Sequence, residues 1–190
     1  YFADTPKKIK DRKYDILYTT WIDDAIQPGR SEWICRLCSL SDRYTVHIDK
    51  NLKYPEYIAL LRDSKLVLSY SRHGSIAVRV ADAGAQGAIV LDPGEEIKQY
   101  FTPNEEYIPI TEKDFAEQIE WYLKNEKTLQ EMSDKFYKKV TENFEARKRF
   151  IEMLRFAEKC LKGRKSERKF NSYTESDKCI RRGENYYYAY

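Results

Sequence analysis

The spacing of its β-branched runs constrains this chain more than any other feature. Tyr14–Ile22 (YDILYTTWI), Thr45–Ile48, Lys65–Tyr70 (KLVLSY), Ala88–Leu91 (AIVL) and Tyr107–Ile110 read as short strands. Between them lie amphipathic stretches, Ser31–Leu40, Tyr54–Arg62 and Ser75–Gln86, which read as helices. Parallel neighbours need a crossover of about a dozen residues or more, usually a helix, whereas antiparallel neighbours need only a tight turn. The alternation therefore predicts β-α-β units, hence an α/β chain built on a Rossmann-like parallel sheet covered on both faces. Local punctuation agrees. Ser31 is placed to cap a helix, Pro55 sits in a first turn where its missing N–H costs nothing, and Gly87 can end a helix in the left-handed conformation. Sheets of this kind bind ligands beyond the carboxyl ends of their strands. The loops Asp23–Arg30, Ser71–Gly74 and Asp92–Ile97 are the segments expected there.

After residue 111 the pattern turns wholly helical. Thr111–Asn125 opens with Thr111 followed by Asp114 and sets Phe115, Ile119, Tyr122 and Leu123 on one stripe. Glu126–Asn143 and Ala146–Leu161 continue with similar apolar spacing. The expected division is a lead-in over 1–13, a sheet domain with closing helices over 14–161, and a linker plus helical segment over 162–190. The Gly and Tyr spacing near the end resembles the opening of a tetratricopeptide-type hairpin, a surface suited to a protein partner. Tyr1 in place of Met and the Tyr-rich end lead us to expect a piece of a longer chain.

Charge and cysteines exclude several classes. The 34 basic and 31 acidic residues leave a net charge of only +3, which gives no reason to expect nucleic acid as a partner. No apolar run approaches the roughly 18 residues that a membrane span requires, so none is expected. The basic run Lys162–Lys169 is expected to be a solvated linker. Four cysteines do not make a disulfide framework. Cys35 and Cys38 share a helical face, and a buried pair is expected in preference to a redox or zinc site. With only two histidines available, a zinc site has few ligands to recruit. A cytoplasmic location is expected on these grounds. No G-x-G-x-x-G follows the first strand and no G-x-x-x-x-G-K-[ST] occurs, which disfavours dinucleotide oxidoreductases and P-loop NTPases.

The stretch Ser69–Asp92, SYSRHGSIAVRVADAGAQGAIVLD, carries the chemistry. A strand runs through a glycine-bearing loop into a helix whose free N–H groups and positive dipole end suit phosphates or sugar hydroxyls. Arg79 and Asp82 are the only charged side chains in that helix, and small residues at Ala81, Ala83, Gly84 and Ala85 let it lie close to the sheet. The series R-x-x-D-A-x-A-x-G from Arg79 to Gly87, then AIVLD, then E-I-x-x-Y-F-x-P-x-E-E-Y-I, resembles the C-terminal domain of GT-B glycosyltransferases. It is similar in particular to the spore-maturation-type (CgeB-like) group, over roughly residues 14 to 155.

That resemblance implies a donor-binding domain of a hexosyltransferase-like enzyme, with a nucleoside diphosphate sugar as substrate. It implies a partner N-terminal GT-B domain elsewhere in a longer chain, without which the 190 residues are expected to be inactive. Asp82 matches the acidic residue that meets the donor ribose; its alternative is a helix-surface carboxylate paired with Arg79. Arg79 itself is expected to be a structural salt-bridge partner. The family's first acidic residue, eight positions earlier, is replaced by Gly74, so Arg72, His73 and Ser75 are candidates for the sugar or diphosphate contacts. His73 is expected to be a loop residue and no catalytic base. Arg30 is either a diphosphate ligand, which makes a metal unnecessary, or an ordinary surface residue. Glu95 and Glu96 are either crevice residues or acids that open a helix. Tyr100 and Phe101 are expected in the core. A non-catalytic interaction scaffold on a degenerate GT-B fold is the competing reading, favoured by Gly74 and opposed by Asp82.

Overall fold

Strands covered on both faces carry near-continuous apolar runs, and the three central strands do so here. The computed structural model describes residues 5–20, 29–71 and 76–163. Ile16–Tyr18, Leu66–Leu68 and Ile89–Leu91 are entirely buried. They belong to β1 (Tyr14–Thr19), β3 (Ser64–Leu68) and β4 (Ile89–Asp92). With β2 (Val46–Asp49) and β5 (Ile108–Pro109) these strands form one parallel sheet in the order β2-β1-β3-β4-β5. Register is continuous across it: Ile16 faces Val46 on one side and Leu66 on the other, Leu66 faces Ile89, and Leu91 faces Ile108. The Rossmann-like α/β fold expected from the alternation is the fold observed.

Crossovers are α1 (Arg30–Cys38), α2 (Tyr54–Arg62) and α3 (Val78–Ala85), followed by α4 (Phe115–Lys124) and α5 (Glu126–Asn143). The buried stripe of α4 is Phe115, Ile119, Tyr122 and Leu123, as its spacing predicts. Thr111 and Asp114 exchange side-chain-to-backbone hydrogen bonds ahead of it. On α3 the small residues admit close packing. A Cβ on Gly84 would stand 2.5 Å from Cγ2 of Val140, so α5 lies directly against the helix backbone.

Three local expectations are corrected. Gly29, not Ser31, precedes α1, at φ 90, a conformation that disfavours a side chain. Cys35 and Cys38 are exposed and free, because Trp33 and Leu37 form the buried stripe of α1 and leave them outside it. Tyr100 is half exposed, while Phe101 stacks on Phe144 at 5.2 Å in the core.

Arg12 secures the amino ends of the strands. Its guanidinium donates to the carbonyls of Lys7, Ser64 and Gln86 at 2.8–3.0 Å and to that of Leu61 at 3.5 Å. Burial pushes the group down to about 10, so it remains charged at neutral pH. Gly87, at φ 68, makes room for it: a Cβ there would approach Arg12 Nη2 to 2.9 Å.

The chain divides into two compact units, Tyr1–Lys148 and Arg149–Tyr190. The described part of the second is the helix α6 (Ala146–Gly163) from Arg149 onward, with Phe150, Met153, Leu154, Phe156 and Leu161 exposed. The tetratricopeptide-like stretch expected near the end lies outside the described residues. No described helix is long and apolar enough to cross a membrane.

Candidate functional site

In the order β2-β1-β3-β4-β5 the chain leaves β1 toward one side for β2 and returns on the other side as β3. The carboxyl ends of β1 and β3 therefore flank the topological switch point, where open α/β sheets form their ligand crevice. Arg79 spans it. From the first turn of α3 its guanidinium donates to the carbonyl of Leu68, which ends β3, at 3.4 Å, and to the carbonyl of Thr19, which ends β1. The same group lies 5.7 Å from the centre of the Tyr18 ring. Its Nε is buried with no acceptor among the described residues. The salt-bridge role expected for Arg79 is thus replaced by main-chain contacts at two strand ends.

Asp82 follows one turn later on α3 and is half-buried. Tyr57 on α2 lies within electrostatic reach of both Asp82 and Arg79. Burial pushes the Asp82 carboxyl above the usual carboxylate range, while the nearby Tyr57 hydroxyl and the charge of Arg79 pull it back. Tyr57 is itself held well above the ordinary phenol, by burial first and then by the Asp82 charge. Tyr57 was not among the candidates from the sequence. No motif marks it, and only the fold brings α2 onto α3.

A cleft of about 290 Å³ adjoins this group, lined by Thr19, Thr20, Lys50, Asn51, Leu52, Tyr54 and Tyr57. Asn51 holds φ 57 in the turn after β2, a conformation that asparagine tolerates better than most residues. The Tyr54 ring is half exposed at the cleft and lies 6.1 Å from that of Tyr57.

The other candidates distribute around this edge. Arg30 is the first residue of α1 and lies within electrostatic reach of Tyr18 and Arg79. Gly29 before it runs under Tyr70, whose hydroxyl would stand 2.8 Å from an added Cβ. Glu95 is exposed and pairs with Lys98, and Glu96 opens the single 3-10 turn Glu96–Gln99 after β4. Neither is brought onto Asp82 by a hydrogen bond. Asp92, at the end of β4, accepts from the Gly94 N–H at 2.7 Å, and burial raises its carboxyl. Arg72, His73, Gly74 and Ser75 lie outside the described residues. Among the described residues no cluster of His, Cys, Asp or Glu has the makings of a metal site.

A family model described as glycosyl transferase-like matches residues 8–155. The chain belongs to that family. The finer CgeB-like assignment rests on the resemblance of the residues alone. No curated protein matches the chain. Among solved structures, TarM of S. aureus superposes with a TM-score of 0.60 at 14% identity, over 82% of this chain and 37% of its own, in a complex with UDP and alpha-GlcNAc-glycerol. A glycosyltransferase from Rickettsia africae gives 0.58 at 16% identity, over 82% and 42%. The C-terminal domain of the group 1 glycosyl transferase LpcC from Francisella tularensis gives 0.57 at 11% identity, over 77% of this chain and 96% of that domain. At these identities the likeness establishes the fold, the Rossmann-like half of a GT-B glycosyltransferase. The glycosyl transferase-like chain spans well under half the length of TarM and of the Rickettsia enzyme.

Proposed function

We propose that this domain binds the nucleoside diphosphate part of a sugar donor at the switch point and serves a glycosyltransferase. The observation that carries the reading is Arg79 joining the ends of β1 and β3, one helical turn before the half-buried Asp82, in a chain of a glycosyl transferase-like family. A half-buried carboxylate beside an open cleft is suited to accept hydrogen bonds from vicinal ribose hydroxyls, and Asp82 takes that role. The base lies in the cleft between Asn51 and Tyr57. The diphosphate faces Arg30 at the start of α1, where a guanidinium and a helix N-terminus both favour negative charge. Those two features offset the charge of the leaving diphosphate, so the binding we propose needs no metal. Arg72, His73, Gly74 and Ser75, between β3 and α3 in sequence, contact the sugar or diphosphate in this reading. Glu95 and Glu96 border it.

Support for UDP as the first nucleotide to try comes from TarM and from the pneumococcal O-GlcNAc transferase GtfA, both solved with UDP. Transfer itself needs positioning of donor and acceptor together. This chain spans 37% of TarM, and in the reading proposed here a domain beyond the 190 residues holds the acceptor. We therefore propose that the 190 residues bind donor without transferring sugar. Thermal shift with millimolar UDP, GDP, ADP, CMP and their sugar conjugates, beside Asp82→Ala, tests the site. Stabilisation by one base that is lost in the variant and unaffected by EDTA is the expected result. Sugar release catalysed by the 190 residues alone would refute their dependence on a further domain. Gly74 in place of an acidic residue favours a second reading, a scaffold that has kept the fold without the chemistry. Silence across the whole panel would support it.

A further inference from the structure

Two helices of this chain have the same length and opposite surroundings. α5 and α6 each run for 18 residues with an apolar stripe along one side. The stripe of α5, from Leu129 through Phe136 to Val140, is buried. That of α6 is Phe150, Met153, Leu154, Ala157 and Leu161, at i, i+3, i+4, i+7 and i+11, and it is exposed throughout. Of the ten large apolar side chains exposed among the described residues, six belong to α6. Charge separates the two helices as well. α5 balances four basic residues with four acidic ones, whereas α6 sets six basic residues against two. The excess lies away from the stripe. Lys148, Arg155, Lys159 and Lys162 follow the same helical spacing on the opposite face, with Glu152 as the one acid among them. The sequence then continues through Arg164, Lys165, Arg168 and Lys169, with one acid, Glu167.

We propose that α6 is an interfacial helix that lays this stripe into an anionic lipid bilayer. A helix with an apolar stripe, a basic polar face and low net hydrophobicity lies in the plane of a membrane interface. α6 meets each condition, and it is not apolar enough to cross. At that depth the apolar side chains enter the acyl boundary. Lysine and arginine stems run along it and deliver their charges to lipid phosphates on both flanks. Two other occupants fit the charge less well. A second copy would bring an equally basic helix against this one, and like charges would oppose the contact. An acidic protein groove would reach the stripe and its borders but leave the far face in water, where four basic residues gain nothing. A headgroup layer reaches all of them. The donor site takes no part in this contact.

The test is co-sedimentation of the 190-residue protein with vesicles of phosphatidylcholine, alone or mixed with phosphatidylserine, in low and high salt. Melting temperature and mass in solution are measured alongside. We expect the anionic vesicles to bind about tenfold more tightly than the neutral ones, and high salt to remove most of that difference. Phe150→Gln with Leu154→Gln should abolish binding. Arg155→Glu with Lys159→Glu should weaken it about tenfold. The melting temperature should hold in both, because all four side chains are exposed. Lys135→Glu with Lys138→Glu, at exposed positions of α5, changes the net charge equally and should cost far less binding. Equal binding to neutral and anionic vesicles overturns the proposal in favour of indiscriminate apolar adhesion. An α5 pair that loses as much as the α6 pair overturns it in favour of the charge of the whole surface. Binding to neither vesicle also overturns it. A wild-type dimer that Phe150→Gln with Leu154→Gln splits then assigns the stripe to a second copy, and a monomer leaves it to a different protein.

Discussion

Two arginines fasten opposite ends of the same sheet, and they do so differently. Arg12, at the amino ends, makes five donations to four carbonyls, which accounts for every N–H it has. Arg79, at the carboxyl ends, gives two donations to strand-end carbonyls, and its buried Nε has no acceptor among the described residues. A fully satisfied buried cation is a fastener and nothing more. One that is satisfied in part, at a switch point and beside an open cleft, keeps capacity for something not yet bound. The amino edge of the sheet is thus finished as a structure, and the carboxyl edge is not.

The largest effect expected from this contrast is on stability at the amino edge. Arg12→Ala leaves the carbonyls of Lys7, Leu61, Ser64 and Gln86 without their donor in a buried site. At about 1 kcal/mol or more for each well-made bond lost, the loss should reach roughly 3 kcal/mol. A fall in the urea midpoint without loss of nucleotide affinity in the folded fraction is the expected pattern. Arg79→Ala should show the reverse. Two main-chain bonds are lost at a partly exposed edge, for about 1–2 kcal/mol, while nucleotide binding drops far more than that loss explains. If Arg79→Ala destabilised as much as Arg12→Ala and left binding alone, the two ends would be alike and the contrast would be gone.

The contrast also separates what was legible in the sequence from what was not. Continuous apolar runs such as Leu66–Leu68 announce strands buried on both faces, because only the backbone's own pairing and apolar packing act on them. The small residues of α3 likewise announced close packing, and Gly84 against Val140 supplies it. Asp82 was legible as a lone carboxylate on an otherwise small and apolar helix. Its electrostatic neighbour Tyr57 was not. Tyr57 and Asp82 sit on separate helices, and periodicity reports which face of an element is buried, never which side chain crosses to meet another. Arg79 was misjudged for a related reason. A charged residue three positions from an acid suggests a helical ion pair, but strand-end carbonyls across the switch point offered it a better-matched seat. Cys35 and Cys38 shared one face as expected, but the stripe chosen for burial was that of Trp33 and Leu37.

Asp92 permits a finer test of the idea that the carboxyl edge is left unfinished. It ends β4, is buried, and accepts from the Gly94 N–H through Oδ1. Burial is the largest influence on it and raises its carboxyl above the ordinary value. The folded protein therefore binds that proton more tightly than the unfolded chain does. Between the two values the native state carries more protons, so this group's contribution to stability falls as pH rises through that window. It is most favourable below the unfolded value and fully lost above the folded one. Asp92→Asn keeps the Oδ1 acceptor for Gly94 and removes the charge. The variant should be at least as stable as wild type at pH 7, and the advantage should shrink as pH is lowered toward 4. Melting curves of both proteins across that range measure it. An advantage that grew on acidification would mean that the Asp92 charge is sought by its surroundings, and that the carboxyl edge is as well matched as the amino edge.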